Sequence, residues 1–270
     1  MRTILQKGGA MRTAIYSAVL GFMSLTGAYG EEWTKSWRVQ THPELRVTAG
    51  DASVSIEVGS GSEISALVRT RGIDIGSSGV RITDHQDGNR VELEVREPSM
   101  RWGWGMRSIE VHLKVPRELR ADVHTGDGSI HLNGLHGAIR VNTGDGSIQG
   151  DDLDGALDAR SGDGSLHVRG RFDDLNVRTS DGSVEVHAMR GSKLNSGWHV
   201  ETGDGSVHLS IPRDLAADVQ LRTGDGSIHS DLPLTVQGVR REHELQGKLN
   251  GGGPFLEVRT GDGSITLSAL

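Results

Sequence analysis

The sequence predicts an all-β fold: a single-stranded parallel β-solenoid, or β-helix, of about 18–23 residues per coil with an N-terminal cap of longer strands. Three observations predict it. A phrase, TGDGS or a near copy, returns seven times, with aspartates at Asp127, Asp145, Asp163, Asp181, Asp204, Asp225 and Asp262. The steps between them are 18, 18, 18, 23, 21 and 37 residues, the last about two coils with an excursion inserted. Apolar and polar residues alternate on both sides of the phrase, the period of a strand with one buried face. Finally, 39 glycines against ten aromatics in 270 residues suit many tight turns around a slim core.

Residues 1–30 read as an export signal. Arg2, Lys7 and Arg12 supply positive charge, an apolar run spans Ala14 to Leu25, and Ala28-Tyr29-Gly30 offers small residues for cleavage near Gly30. Starting at Met11 instead of Met1 leaves a compact signal as well. The run is shorter than the roughly 20 residues that span a bilayer, and no second run of that length follows, so no transmembrane span is expected. The mature chain is thereby assigned to the periplasm, the cell envelope or the exterior. The chain has no cysteine, which excludes disulfides and thiol chemistry. Cleavage would leave 26 basic against 36 acidic side chains. That balance is the wrong sign for a phosphate backbone, so nucleic acid is excluded as a partner.

Residues 31–120 are expected to start the stack and cover its first edge. In LRVTAGDASVSI, Leu45, Val47, Asp51, Ser53, Val54 and Ile56 fall in the positions of a degenerate first coil. Longer alternating runs follow at 64–75, 80–83, 91–95 and 109–115, with turns at GSSG and DGN. An uncovered edge would invite sheet-to-sheet aggregation.

The solenoid proper is assigned to 121–270. Six and four residues before each Asp the columns are apolar, as with Ile139 and Val141, while the position between them is polar, as with Arg140. Three after it the column is apolar again, from Ile130 to Ile265. An odd offset separates the two inward sets, so the corner must absorb one extra residue. The Gly after the Asp stands in every copy: Gly128, Gly146, Gly164, Gly182, Gly205, Gly226 and Gly263. A positive φ and a Cβ clash are the expected reasons. By parity, the column from Thr125 to Thr260 should face inward and the Ser column, Ser129 to Ser264, outward. Residues 232–255 leave the rhythm as a hairpin, rejoined through GGGP. The chain then stops at Leu270 after a full repeat, an uncapped surface suited to end-to-end self-association.

Stacked coils lie about 4.8 Å apart, so seven like charges in a row need relief. Asx-turn hydrogen bonds and the cations three residues earlier (Arg160, Arg178, Arg222 and Arg259) are the expected source. Calcium is the alternative, but its β-roll pattern, G-G-x-G-x-D in a nine-residue period, differs from this one, and no cofactor is expected. Histidines recur four after the Asp at His131, His167, His208 and His229. In chain order His208 and His229 would be neighbours able to share a transition metal, though a solvated outer face is the plainer reading. Asp151, Asp152 and Asp154, with Asp173 and Asp174 one coil on, are the nearest approach to an acid–base cluster; with no cation among them they read as a polar loop. Trp102 and Trp104, on a Gly-rich loop, are the candidate binding residues for sugar rings or a protein. Trp198 falls in an apolar column and should be core.

The run VHLKVPRELRADVHTGDGSIHLNGLHGAIRVNTGDGSIQG and the late LNGGGPFLEVRTGDGSITL resemble the secreted bacterial putative-adhesin family, a domain of unknown function built from β-strand repeats. The likeness covers roughly residues 40–270. It implies a β-solenoid at the cell envelope or outside the cell and supplies no catalytic residues. The expected role is a non-enzymatic adhesion or scaffold module presenting polar columns to a polysaccharide or an envelope protein. A carbohydrate-active β-helix enzyme and a calcium-dependent rod are the alternatives.

Overall fold

The computed structural model describes residues 30–98, 107–236 and 243–270, and every regular element among them is a β-strand. Ahead of the repeats come β1 (Glu32–Arg38), β2 (Glu44–Ala49), β3 (Ser53–Val58), β4 (Glu63–Arg71), β5 (Arg81–Asp87), β6 (Arg90–Arg96) and β7 (Ser108–Val115). The repeats supply β8 (Glu118–His124), β9 (Ile130–Asn133), β10 (His136–Thr143), β11 (Ile148–Ser161), β12 (Leu166–Asp181), β13 (Val184–Ala188), β14 (Trp198–Asp204) and β15 (Val207–Ile211). Then follow β16 (Ala217–Asp225), β17 (Ile228–Ser230), β18 (Thr235–Val236), β19 (Glu244–Leu249), β20 (Phe255–Asp262) and β21 (Ile265–Ala269).

Alternation sets the inward face. Strand β8 buries Leu119, Ala121 and Val123 and exposes Glu118, Arg120 and His124. Burying such side chains favours folding by about 1.5–3 kcal/mol each. Trp198 is 2% exposed, meets Phe172 edge-on with centroids 6.3 Å apart, and donates its indole N–H to the Lys193 carbonyl at 3.0 Å.

Strands before the Asp corners form one ladder, in the spatial order β6-β2-β8-β10-β11-β12-β14-β20-β16, parallel throughout. Strands after the corners form a second, β7-β3-β9-β11-β12-β13-β15-β21-β17, also parallel. The two orders correspond pair by pair, so nine coils lie one on another. Strands β11 and β12 run through both ladders; the bend in β11 carries register shifts against β12 between Gly150 and Leu153 and between Gly155 and Ala156.

The sheet is mixed, where a parallel solenoid with an N-terminal strand cap and one hairpin excursion was expected. At one end β5 pairs antiparallel with β6, and β4 joins β7 to β1, antiparallel to both. At the other, β19 pairs antiparallel with β16 and with β18. Hairpin reversals need only a short turn, whereas each parallel pair needs a crossover.

Spatial order also departs from chain order at both ends. The β2–β3 coil lies between β6–β7 and β8–β9. The last repeat, β20–β21, is inserted between the β14–β15 and β16–β17 coils. Leu270 therefore does not end the stack, and its N–H is bonded to the Ile211 carbonyl. Asn250, Gly251 and Gly252 make the required reversal, with φ of 47°, 91° and 89°, and Asn250 anchors it by donating to the Arg213 and Leu215 carbonyls.

The corner explains the phrase. The Thr column is buried, and each hydroxyl reaches back to the preceding coil: Thr143 Oγ1 to the carbonyls of Gly126 and Gly128 at 3.1 and 2.9 Å, Thr179 Oγ1 to those of Gly162 and Gly164 at 2.9 Å. Each net bond contributes about 1 kcal/mol. The glycine after the Asp has positive φ in four copies, Gly182, Gly205, Gly226 and Gly263, not in all seven as expected. Close approach is the shared reason: a Cβ on Gly146 would overlap the Gly128 carbonyl, and one on Gly164 the Gly146 carbonyl. The first coil has Ala52 there instead.

Candidate functional site

Four surfaces follow from this stacking, two ladder faces and two corners. The outer face of the pre-corner ladder carries a charge-alternating row. In spatial order it reads Glu92, Arg46, Asp122, Arg140, Asp158, Asn176, His199, Glu257 and Gln220. Neighbours pair across coils, Arg46 with Asp122 at 3.2 Å and Arg140 with Asp158 at 3.4 Å. His199 contacts Glu257 through Nδ1 at 3.0 Å and Glu201 through Nε2 at 2.9 Å, a link between β14 and the inserted β20. The His199 hydrogen bond, helped by Arg178 and Arg259, holds the Glu201 carboxyl below its usual range against the opposing effect of burial. These groups serve chiefly to fix register.

The corner carries the exposed aspartates. The cations expected beside them turn elsewhere: Arg160 to Asp158 at 3.2 Å, Arg178 to Asn176 at 3.1 Å, Arg222 to Glu244 at 2.7 Å, and Arg259 to Glu257. Among the described residues no hydrogen bond or ion pair ends on the seven corner carboxylates, so the expected Asx-turn relief is missing as well. Repulsion is the result: Asp127 and then Asp163 raise the Asp145 carboxyl above its ordinary value. A raised carboxyl means that the charged form is the disfavoured one in the fold. Stability is therefore lost as pH rises through the window above the ordinary carboxylate value, and recovered as pH falls. Asp145→Asn is expected to raise the melting temperature at neutral pH and low salt. The gain should fade with added salt and on acidification; thermal melts across salt and pH check both.

The opposite corner holds the acidic cluster. Arg171, two residues before Asp173, stands among it, where a cluster without a cation was expected. Its guanidinium binds Asp173 at 2.6 and 3.0 Å and also pairs with Asp154. This contact holds the Asp173 carboxyl down. Asp152, at φ 51°, pairs with Arg117 at 3.4 Å, Asp174 accepts the Ser196 N–H at 2.8 Å, and Asp151 accepts from Gln149 at 3.2 Å. The carboxylates are occupied by the fold. Arg171 comes beside Asp154 because the β11–β12 register slips at the bend, an irregularity that column counting misses.

The outer face of the post-corner ladder is the least self-satisfied surface. Serines 53, 129, 147, 165, 183, 206, 264 and 227 follow one another on consecutive coils, linked by sparse contacts such as Ser227 Oγ to Ser264 Oγ at 3.1 Å. The adjacent row reads His112, Ser55, His131, Gln149, His167, Glu185, His208, Thr266 and His229, with histidine on every second coil. Thr266 thus separates His208 from His229, which rules out the metal-sharing pair read from chain order. His187 bonds Glu185 at 2.8 Å and holds that carboxyl below its usual value. Trp102 and Trp104 lie outside the described residues.

A sequence model of the Toastrack DUF4097 family matches residues 117–268. Among solved structures, the chain is similar to a putative cell adhesion protein from Clostridium sporogenes, at 14% identity over 89% of this chain and 100% of that one, with a TM-score of 0.45. It is also similar to a putative adhesin from Parabacteroides merdae, at 9% identity over 89% and 96%, TM-score 0.41. A third is a putative lipid binding protein from Parabacteroides distasonis, at 14% identity over 87% and 96%, TM-score 0.36. Likenesses of this size say nothing about ligands. No curated protein matches the sequence.

Proposed function

As a chain that belongs to the Toastrack DUF4097 family, this protein is one that we propose acts as an exported, non-enzymatic adhesion or scaffold rod. Its coils, on this reading, wind as a single-stranded solenoid whose repeats fill 121–270 and whose first coils and strand cap fill 31–120, after cleavage near Gly30. The partner is a cell-envelope polysaccharide or protein. The post-corner face meets it.

One observation carries the reading: the Ser row, continuous over eight coils beside the His row. Hydroxyls repeating every ~4.8 Å along a flat face match a ligand that itself repeats, and one chain supplies many weak hydrogen bonds in series. The pre-corner face is less suited, because its charges already satisfy one another. The acidic cluster favours structure over catalysis for the same reason, with Arg171 holding Asp154 and Asp173.

The test is a screen of residues 31–270 against immobilised envelope polysaccharides and envelope proteins. Binding is expected to fall sharply in Ser165→Asp/Ser206→Asp and to survive Arg140→Gln on the other face. Retention of binding in the double variant, or no retained ligand at all, would refute this surface as the binding face.

A further inference from the structure

We propose that the outer edge of β1 pairs antiparallel with the same edge of a second copy of this chain, joining two rods end to end as a closed dimer. At this end of the stack β1 is a terminal strand, and it pairs with β4 alone. In that pair the Glu31 carbonyl and the Val39 N–H are bonded toward β4, so the odd-numbered residues face β4. The even ones, Glu32, Thr34, Ser36 and Arg38, therefore aim their N–H and C=O groups away from it. Among the described residues a single bond reaches these outward groups, from the Gln86 amide to the Arg38 carbonyl at 2.8 Å. The other terminal strands offer less. At the far end β17 has three residues and β18 two, while β5 has Asp84 engaged with the Trp37 indole and the Lys35 ammonium.

The strand is complementary to itself in one antiparallel register. Centred on Lys35, EWTKSWR sets Glu32 opposite Arg38, Trp33 opposite Trp37 and Thr34 opposite Ser36. The same register brings outward residues against outward residues, so the free edge groups of both copies are used in about eight ladder hydrogen bonds. Each contact is repeated by the two-fold axis, and the interface closes at two copies. On the solvent face the register makes two Glu–Arg pairs. Arg38 has no ion pair among the described residues, and Glu32 binds Arg69 at 2.8 Å through one oxygen, leaving the other. On the core side Trp33 is only half-buried, and the second copy's Trp37 would cover it. Lys35 meets its own counterpart across the axis. An inward lysine ordinarily guards an edge against pairing, but here Asp84 neutralises it at 2.6 Å. Because β1 continues the post-corner ladder through β4 and β7, the two Ser faces would lie on one sheet, whatever ligand they take.

Sedimentation velocity of the chain from residue 31, across a concentration series, should show monomer and dimer in equilibrium and nothing larger. Ser36→Pro deletes an outward N–H and leaves the bonds to β4 in place, so it should abolish the dimer while circular dichroism still reports a folded monomer. Arg38→Glu and Glu32→Arg should each be monomeric alone, because like charges then face each other at 32 and 38. Mixed together, those two variants should dimerise, since the mixture restores both Glu–Arg pairs. A parent that stays monomeric throughout the series, a Ser36→Pro chain that associates as the parent does, or charge variants that fail to pair when mixed would each overturn the proposal.

Discussion

Deleting Phe255–Leu270 is expected to unravel the C-terminal end of the stack well beyond the deleted residues. In chain order those sixteen residues are the last coil, and their loss would only shorten the rod. In space they lie between β14–β15 and β16–β17. The deletion removes the fully buried Leu256, Val258, Ile265 and Leu267, on the order of 10 kcal/mol of apolar burial. It also leaves two parallel edges facing an empty layer. Hydrogen exchange should report lost protection across β16 and β17, and the exposed edges of β14 and β15 should promote aggregation. Continued protection of Gln220 and Arg222, whose N–H groups face the β20 side as that of Asp218 does, would contradict the inserted order.

Gly164→Ala should be among the most damaging single methyl additions along the corner. The added Cβ would overlap the Gly146 carbonyl, which is backbone and cannot rotate aside. That carbonyl also accepts the Ser161 hydroxyl at 2.8 Å, so any retreat breaks the bridge beneath. Overpacking of this kind costs about 3 kcal/mol, roughly a 10 °C fall in midpoint for a chain of this size. Gly88→Ala is the comparison: its φ of 56° is unfavourable, but the Cβ meets open space, so its cost should stay near 1 kcal/mol. Equal melting temperatures for the two variants would sink the close-approach explanation of the corner glycine.

Much of the architecture was legible because a coil is a local unit. Period, alternation and a turn phrase all lie within about twenty residues, so Leu157, Ala159 and Leu166 announce their burial without knowledge of distant segments. The inward Thr column was legible by parity. Its bridging role was not, because the accepting carbonyls belong to another coil. The surface suffered most. Glu257 is beside His199, and Thr266 lies between His208 and His229, only because a segment some sixty residues downstream inserts there.

By itself the sequence determined the strand content, the coil length, the residues that face inward and the position of every Asp corner. All of these follow from short-range alternation and from glycines at fixed offsets. Tertiary structure alone decided which coil neighbours which at the two ends, where the ladder turns antiparallel, and hence which charged and imidazole groups meet. The physical reason is that parallel ladders accept any coil of matching register. Backbone pairing and apolar columns are nearly the same for β16 and β20, so the repeat pattern leaves their order open. The hairpin of β18 and β19 and the left-handed reversal at Asn250–Gly252 settle it by carrying the chain outward and then back into the stack.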